Sequence, residues 1–231
     1  MLFWGIEWYY IVLVVPAMLL ALWAQFKVNS TFRRYSQIPS LRQLTGAQAA
    51  AEVLRQNGVN DVRIERVSGN LTDHYDPRQN VIRLSDSVYA STSCAAIGVA
   101  AHEAGHAVQH AQAYTPIKVR EAVIPVTRIG SMLSWPLLLI GLFMNSGILI
   151  DIGIVLFASV TVFQLVTLPV EFNASRRALK ALEGGQMLSS EELGYAKKTL
   201  SAAAMTYVAA LAVSLAQLLR LVLMFGGRRR R

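Results

Sequence analysis

Two histidines stand four residues apart in His102-Glu103-Ala104-Gly105-His106, with a glutamate directly after the first. Residues four apart on a helix share a face, so both imidazoles can reach one ion while Glu103 stands beside a water bound to it. Zinc suits such a pair: it takes two His and a third protein ligand, leaves a position for water and makes hydroxide available near neutral pH. Glu103 is then the expected general base, taking the proton of the water and passing it to the leaving amine.

The third ligand has three candidates. His110 continues the spacing but lies about 12 Å along a helix from His102, too far to join both histidines, and reads as a solvated helix-end residue. Asp151 and Glu171 stand at opposite ends of one apolar run, about 30 Å apart if it is helical, so only one of them can serve. The choice depends on the elements that carry them.

Of the 231 residues, 54% are hydrophobic and only 16% charged, which excludes a disordered chain and argues against an ordinary soluble domain. The apolar residues fall in blocks long enough to cross a bilayer, which takes about 20 helical residues. Four spans are expected, at residues 2–24, 124–144, 152–170 and 199–219. The first lacks a basic leading region and is too long for a cleaved signal, so it reads as a retained anchor. Trp4, Trp8, Tyr9 and Tyr10 fit an interfacial belt. The division this implies is a first membrane helix (1–25), a water-facing domain bearing the two histidines (26–122), two membrane helices (123–170), a third-ligand helix and connector (171–198), a fourth membrane helix (199–225) and a basic tail (226–231).

The chain carries 22 Lys and Arg against 14 Asp and Glu, a formal charge of +8. These cations flank the spans and accompany no nucleic-acid motif, so they point to membrane orientation and not to nucleic acid. Lys27, Arg33, Arg34, Lys118, Arg120, Arg176, Arg177, Lys180, Lys197 and Lys198 fall between spans one and two or between three and four, which places both segments on the cytoplasmic side. Arg228 to Arg231 fall on the opposite side by this count. Glu171 then shares its side with segment 26–122 and Asp151 does not, so Glu171 is the expected third ligand. Cys94 is the single cysteine, leaves no internal disulfide and reads as a small packed residue.

Within 26–122, Thr45 with Gln48 has the form of a capping box opening a short helix that Gly58 ends. Alternating runs at 62–67 and 81–84, separated by turn-rich stretches, predict two or three strands. Ser93 is the expected N-cap of an alanine-rich helix bearing the histidines.

The motif, followed by Glu171-Phe172-Asn173-Ala174-Ser175-Arg176-Arg177-Ala178, resembles the bacterial membrane-bound neutral zinc metallopeptidases of the YugP type. Ala24-Gln25-Phe26-Lys27-Val28, Leu71-Thr72-Asp73-His74-Tyr75-Asp76-Pro77 and Gln164-Leu165-Val166-Thr167-Leu168-Pro169-Val170 extend the likeness over most of the chain. More distantly the arrangement is similar to membrane gluzincins of the HtpX and CAAX-prenyl-protease type, in which a Glu opening an E-x-x-x-D motif is the third ligand. Glu171 matches that Glu; Ser175 stands where those relatives carry the Asp that orients a ligand His.

The resemblance implies a mainly α, multi-pass membrane protein with a small α+β gluzincin-like zinc protease domain. It would hold one Zn²⁺ per chain and cut a peptide or membrane-protein substrate in the bacterial cytoplasmic membrane, with the active site on the cytoplasmic side. Segment 71–76 would lie beside an extended substrate, with His74 or Tyr75 donating to a developing oxyanion, or would be a polar turn without a role in catalysis. Arg176 and Arg177 read as juxtamembrane anchors or as contacts to a substrate carboxylate or carbonyl. Two other functions compete: an intramembrane site-2-type protease with Asp151 on the metal, and a zinc-binding membrane scaffold without catalysis. The sequence sets no oligomeric state.

Overall fold

A computed structural model describes residues 8–226. Trp4, the opening of the first apolar block and the Arg228 to Arg231 tail lie outside the described residues. The described chain divides into two compact units.

The first unit takes in the chain up to Gln25, Lys118–Leu168 and the chain from Thr206. Its helical segments come from four elements: a π-helical turn Tyr10–Val14 running into α1 (Val15–Tyr35), then α4 (Thr115–Phe143), α5 (Gly147–Gly184) and α6 (Ser190–Gly226). All four helices are long and apolar enough to cross a membrane. Small residues let them approach closely, as expected where lipid supplies no hydrophobic drive between helices. A side chain on Gly153 would collide with Leu138, and the Thr161 and Ser214 hydroxyls share a hydrogen bond of 2.7 Å. Leu138, Ile150, Phe157 and Leu221 form the interior. Met132, Leu139, Phe143, Val155 and Leu165 stay exposed, which water would penalise and hydrocarbon would not.

The second unit comprises Phe26–Ile117 and Pro169–Met205. Helix α2 (Gly46–Gln56) opens on the capping box: Gln48 N–H donates to Thr45 Oγ1 at 3.2 Å, and Thr45 N–H to Gln48 Oε1 at 2.9 Å. It ends in a Schellman turn, with Gly58 at φ +70° and the Val59 N–H donating to Leu54 O. A three-stranded sheet follows, β1 (Arg63–Val67), β2 (His74–Asp76) and β3 (Val81–Ser85), in the order β1-β3-β2. The central β3 pairs parallel with β1 and antiparallel with β2, Tyr75 standing opposite Ile82. Val81, Ile82 and Leu84 are fully buried, whereas both edge strands keep partly solvated faces.

Helix α3 (Cys94–Ala111) is capped by Ser93, whose hydroxyl accepts from the Ala96 N–H at 3.2 Å, and is buried over most of its surface. Its alanines permit this, since a helix can be enclosed on several sides only where its side chains are small. Val53, Ile82, Leu84, Ile97, Val108, Leu182, Met187 and Leu200 share one core with it. The segment beginning at Pro169 therefore folds into the same core as the histidine helix. Cys94, the first residue of α3, is a fully buried free cysteine.

The helices outrun the apolar blocks that announce them. Helix α1 continues past residue 24 to Tyr35, burying Phe32 and Tyr35, and α4 begins at Thr115, well before residue 124. No Pro or Gly interrupts Gln25–Tyr35, so the helix has no local reason to stop where its hydropathy falls. Pro125, Pro136 and Pro169 lie inside long helices, where each removes one N–H from the ladder without ending the element.

Candidate metal centre

His102 and His106 project from one face of α3 toward Glu171 on α5, and their rings meet edge to face with centroids 4.7 Å apart. Gly105 makes the approach possible. A Cβ there would stand 2.7 Å from the Ala174 carbonyl oxygen, so only glycine lets the α5 backbone come this near the motif helix. Glu171, three residues before Ala174, is thereby brought over the imidazoles.

Glu171 Oε2 lies 3.3 Å from His102 Nε2 and 3.5 Å from His106 Nε2, and one ligand atom from each of the three residues falls within 4.8 Å of the others. A tetrahedral zinc ion with bonds of about 2.0–2.1 Å spaces its donors about 3.3–3.4 Å apart. The donor set suits zinc in number, and the two imidazole–carboxylate separations match that spacing. Glu171 is 4% exposed and His106 9%, so these polar groups are withdrawn from water and have each other as partners.

Each imidazole is also held from behind. His102 Nδ1 lies 3.1 Å from Ser175 Oγ, one turn beyond Glu171 on α5. His106 Nδ1 lies 3.1 Å from Gln109 Oε1. Gln109 is fully buried and donates from Nε2 to the Val170 carbonyl at 2.8 Å and to Asn173 Oδ1 at 2.9 Å. Sequence reasoning missed Gln109 and Asn173. Gln109 stands three residues after His106, one turn along the same helix face, which was the available signal.

Glu103 is buried beside His102 and accepts a hydrogen bond from the Tyr75 backbone N–H. Burial pushes its carboxyl up to about 7; His102 pulls it down, while the negative charges of Glu171 and Asp73 push it up. A bound cation would act in the opposite direction. Asp73 is itself raised by burial, although it accepts from the Ser85 N–H at 2.7 Å and the Ser85 hydroxyl at 2.9 Å.

The other candidates fall outside the cluster. His110 is exposed at the end of α3, with the Tyr75 ring 6.0 Å away. Asp151 lies near the start of α5, some twenty residues before Glu171. His74 is exposed and its Nδ1 lies 2.9 Å from the Thr72 carbonyl, while the Tyr75 hydroxyl donates to Asn80 Oδ1 at 2.8 Å. Arg177 donates to Asn173 Oδ1 at 2.7 Å and to Gln112 Oε1 at 2.6 Å. Arg176 is exposed.

A chain of this architecture, with four potential membrane helices and an N₂O cluster on a small α+β unit, has the outline of a membrane metallopeptidase. The family described as "Putative neutral zinc metallopeptidase" matches residues 10–226, and the chain belongs to it. A relative from Bacillus subtilis (strain 168), named "Putative membrane protease YugP", is 46% identical over 216 residues, covering 94% of this chain and 96% of that protein. No solved structure matches the chain.

Proposed function

We propose that the protein is a zinc-dependent endopeptidase of the bacterial cytoplasmic membrane, of gluzincin type. One Zn²⁺ per chain is held by His102, His106 and Glu171. The observation that carries this reading is the convergence of those three ligand atoms within 4.8 Å, next to a buried carboxylate that is not one of them.

When bound, the ion supplies a Lewis acid and lowers the pKa of a water. Glu103 takes the proton of the attacking water on a carboxylate oxygen and returns it to the amine nitrogen as the peptide bond breaks. Glu103 is buried beside His102 and is not one of the three ligands, which leaves its carboxylate free for both halves of that transfer. Ser175 and Gln109 keep the imidazoles aimed at the ion.

The substrate is an extended peptide segment, either free or part of a membrane protein. The placement of β2 at the sheet edge, with the Tyr75 N–H given to Glu103, supports an extended peptide lying beside the general base, with His74 and Tyr75 flanking the scissile bond. The basic residues that precede and follow the apolar helices favour the cytoplasmic side for the site. A purely structural zinc would call for a closed set of four protein ligands, usually with Cys, whereas the described cluster has three and no Cys.

The test is hydrolysis of casein or a quenched peptide by purified protein in detergent, before and after chelation and zinc return. Activity lost and restored with the metal, and absent in a Glu103→Gln variant that retains zinc, is the expected outcome. Cleavage by Glu103→Gln at the wild-type rate would refute the role of Glu103, and zinc-loaded wild type inert toward every peptide would favour the scaffold.

A further inference from the structure

A neutral imidazole has one N–H and one lone pair, and which nitrogen carries the hydrogen depends on what each faces. For His106 the answer is set through Gln109, which two acceptors orient: the Val170 carbonyl, and Asn173 as fixed by Arg177. Arg177 carries five N–H donors and no acceptor, so whatever its Nε meets at 2.7 Å must be an oxygen. That fixes Asn173 with Oδ1 toward Arg177. The same oxygen faces Gln109 at 2.9 Å, and the Val170 carbonyl faces the same end of Gln109 at 2.8 Å. Between two acceptors Gln109 can present only its NH₂. Its Oε1 is then turned to His106 Nδ1 at 3.1 Å, which must carry the hydrogen, leaving the Nε2 lone pair toward Glu171.

Gln109 is completely buried, so a flipped amide would set its oxygen against two others with no water to compensate. Arg177 is held in turn, its Nη1 on Gln112 Oε1 at 2.6 Å and its guanidinium 5.7 Å from the Tyr114 ring centroid. His102 differs. Its partner is the Ser175 hydroxyl, which can donate or accept and so dictates no tautomer.

We infer that Arg177, Asn173 and Gln109 form a relay of fixed polarity that sets the tautomer of His106 and so its strength as a metal ligand. These three are positioning residues, and the inference rests on the metal-site reading above. It assigns Arg177 a role other than membrane anchoring or substrate contact.

Asn173 separates polarity from bulk. Asn173→Asp keeps an oxygen for both Gln109 and Arg177; Asn173→Leu keeps the size and offers neither. In purified full-length protein, chelator competition should give Asn173→Asp a zinc affinity within about threefold of wild type and Asn173→Leu one about 10–100-fold weaker. Co²⁺ in place of zinc should give the wild-type visible spectrum in the first variant and an altered one in the second. An Asn173→Leu variant that binds as tightly as wild type would overturn the relay, and so would equal losses in both variants. A metal-free measurement keeps the relay distinct from the zinc reading: melting temperatures of Gln109→Leu, Asn173→Leu and the double variant. The double variant should lose clearly less than the sum of the singles, because the Gln109–Asn173 hydrogen bond is lost in either single and can be lost only once. Simple additivity would overturn the relay even if zinc binds; non-additivity in a wild type that binds no zinc would uphold the relay and refute the metal site.

Discussion

Gly105→Ala tests whether the close approach of α3 and α5 builds the metal cluster. The added Cβ would stand 2.7 Å from the Ala174 carbonyl oxygen, where ordinary contact begins at 3.4 Å, so the helices must part by about 0.7 Å. Overpacking against backbone costs about 1–3 kcal/mol, while alanine recovers up to about 1 kcal/mol of helix propensity. Gly194→Ala isolates the second effect, since Gly194 lies within α6 with nothing within 4 Å of its Cβ position. The two variants should therefore differ by the overpacking cost alone, roughly 2–12 °C in melting temperature at this chain length. The shift also carries Glu171, three residues from Ala174, beyond the tolerance of about 0.5 Å that a functional constellation allows. Zinc affinity by chelator competition should then fall about tenfold or more in Gly105→Ala and hold in Gly194→Ala. If Gly105→Ala melts with Gly194→Ala and binds zinc as wild type does, the approach at Ala174 does not govern the site.

Ser175→Ala removes the oxygen 3.1 Å behind His102 and should weaken zinc about 10–100-fold, with Ser175→Asp restoring it; chelator competition on the two variants checks this, and unchanged affinity in Ser175→Ala would deny the hydroxyl any orienting role. Burial, followed by the negative charge of Glu192, pushes the Cys94 thiol up to about 11. The folded state therefore keeps this proton to higher pH than the unfolded chain, so the thiol's stabilising contribution is complete below about pH 9 and is lost as pH rises from there toward 11. Iodoacetamide at pH 9 should leave folded protein unlabelled and modify it fully on unfolding, whereas rapid labelling of folded protein would contradict the burial of Cys94.

Local chemistry was legible in the sequence. Thr45 with Gln48 announces one helix, Gly58 its end and Ser93 the start of another, because each acts on backbone groups within four residues of itself. The spacing of His102 and His106 needs only the helical period. Contacts made across the fold were harder to read. β2 is three residues long inside a polar segment, and what makes it a strand is its pairing with β3. The helices exceed the apolar blocks because hydropathy reports the surroundings of a residue and not where the backbone ladder stops, as Gln25–Tyr35 demonstrates. Gly105 is one more motif position in the sequence, and its role depends on the Ala174 carbonyl that the fold brings against it. Gln109 and Asn173 are some sixty residues apart, and no local pattern announces that their amides meet.

The central claim is the ligand set, and zinc content after exhaustive dialysis tests it most directly. One zinc per chain is expected in wild type, Asp151→Ala and His110→Ala, with loss of zinc in Glu171→Ala. Zinc retained by Glu171→Ala and lost from Asp151→Ala would contradict the ligand set and move the site to the other end of α5.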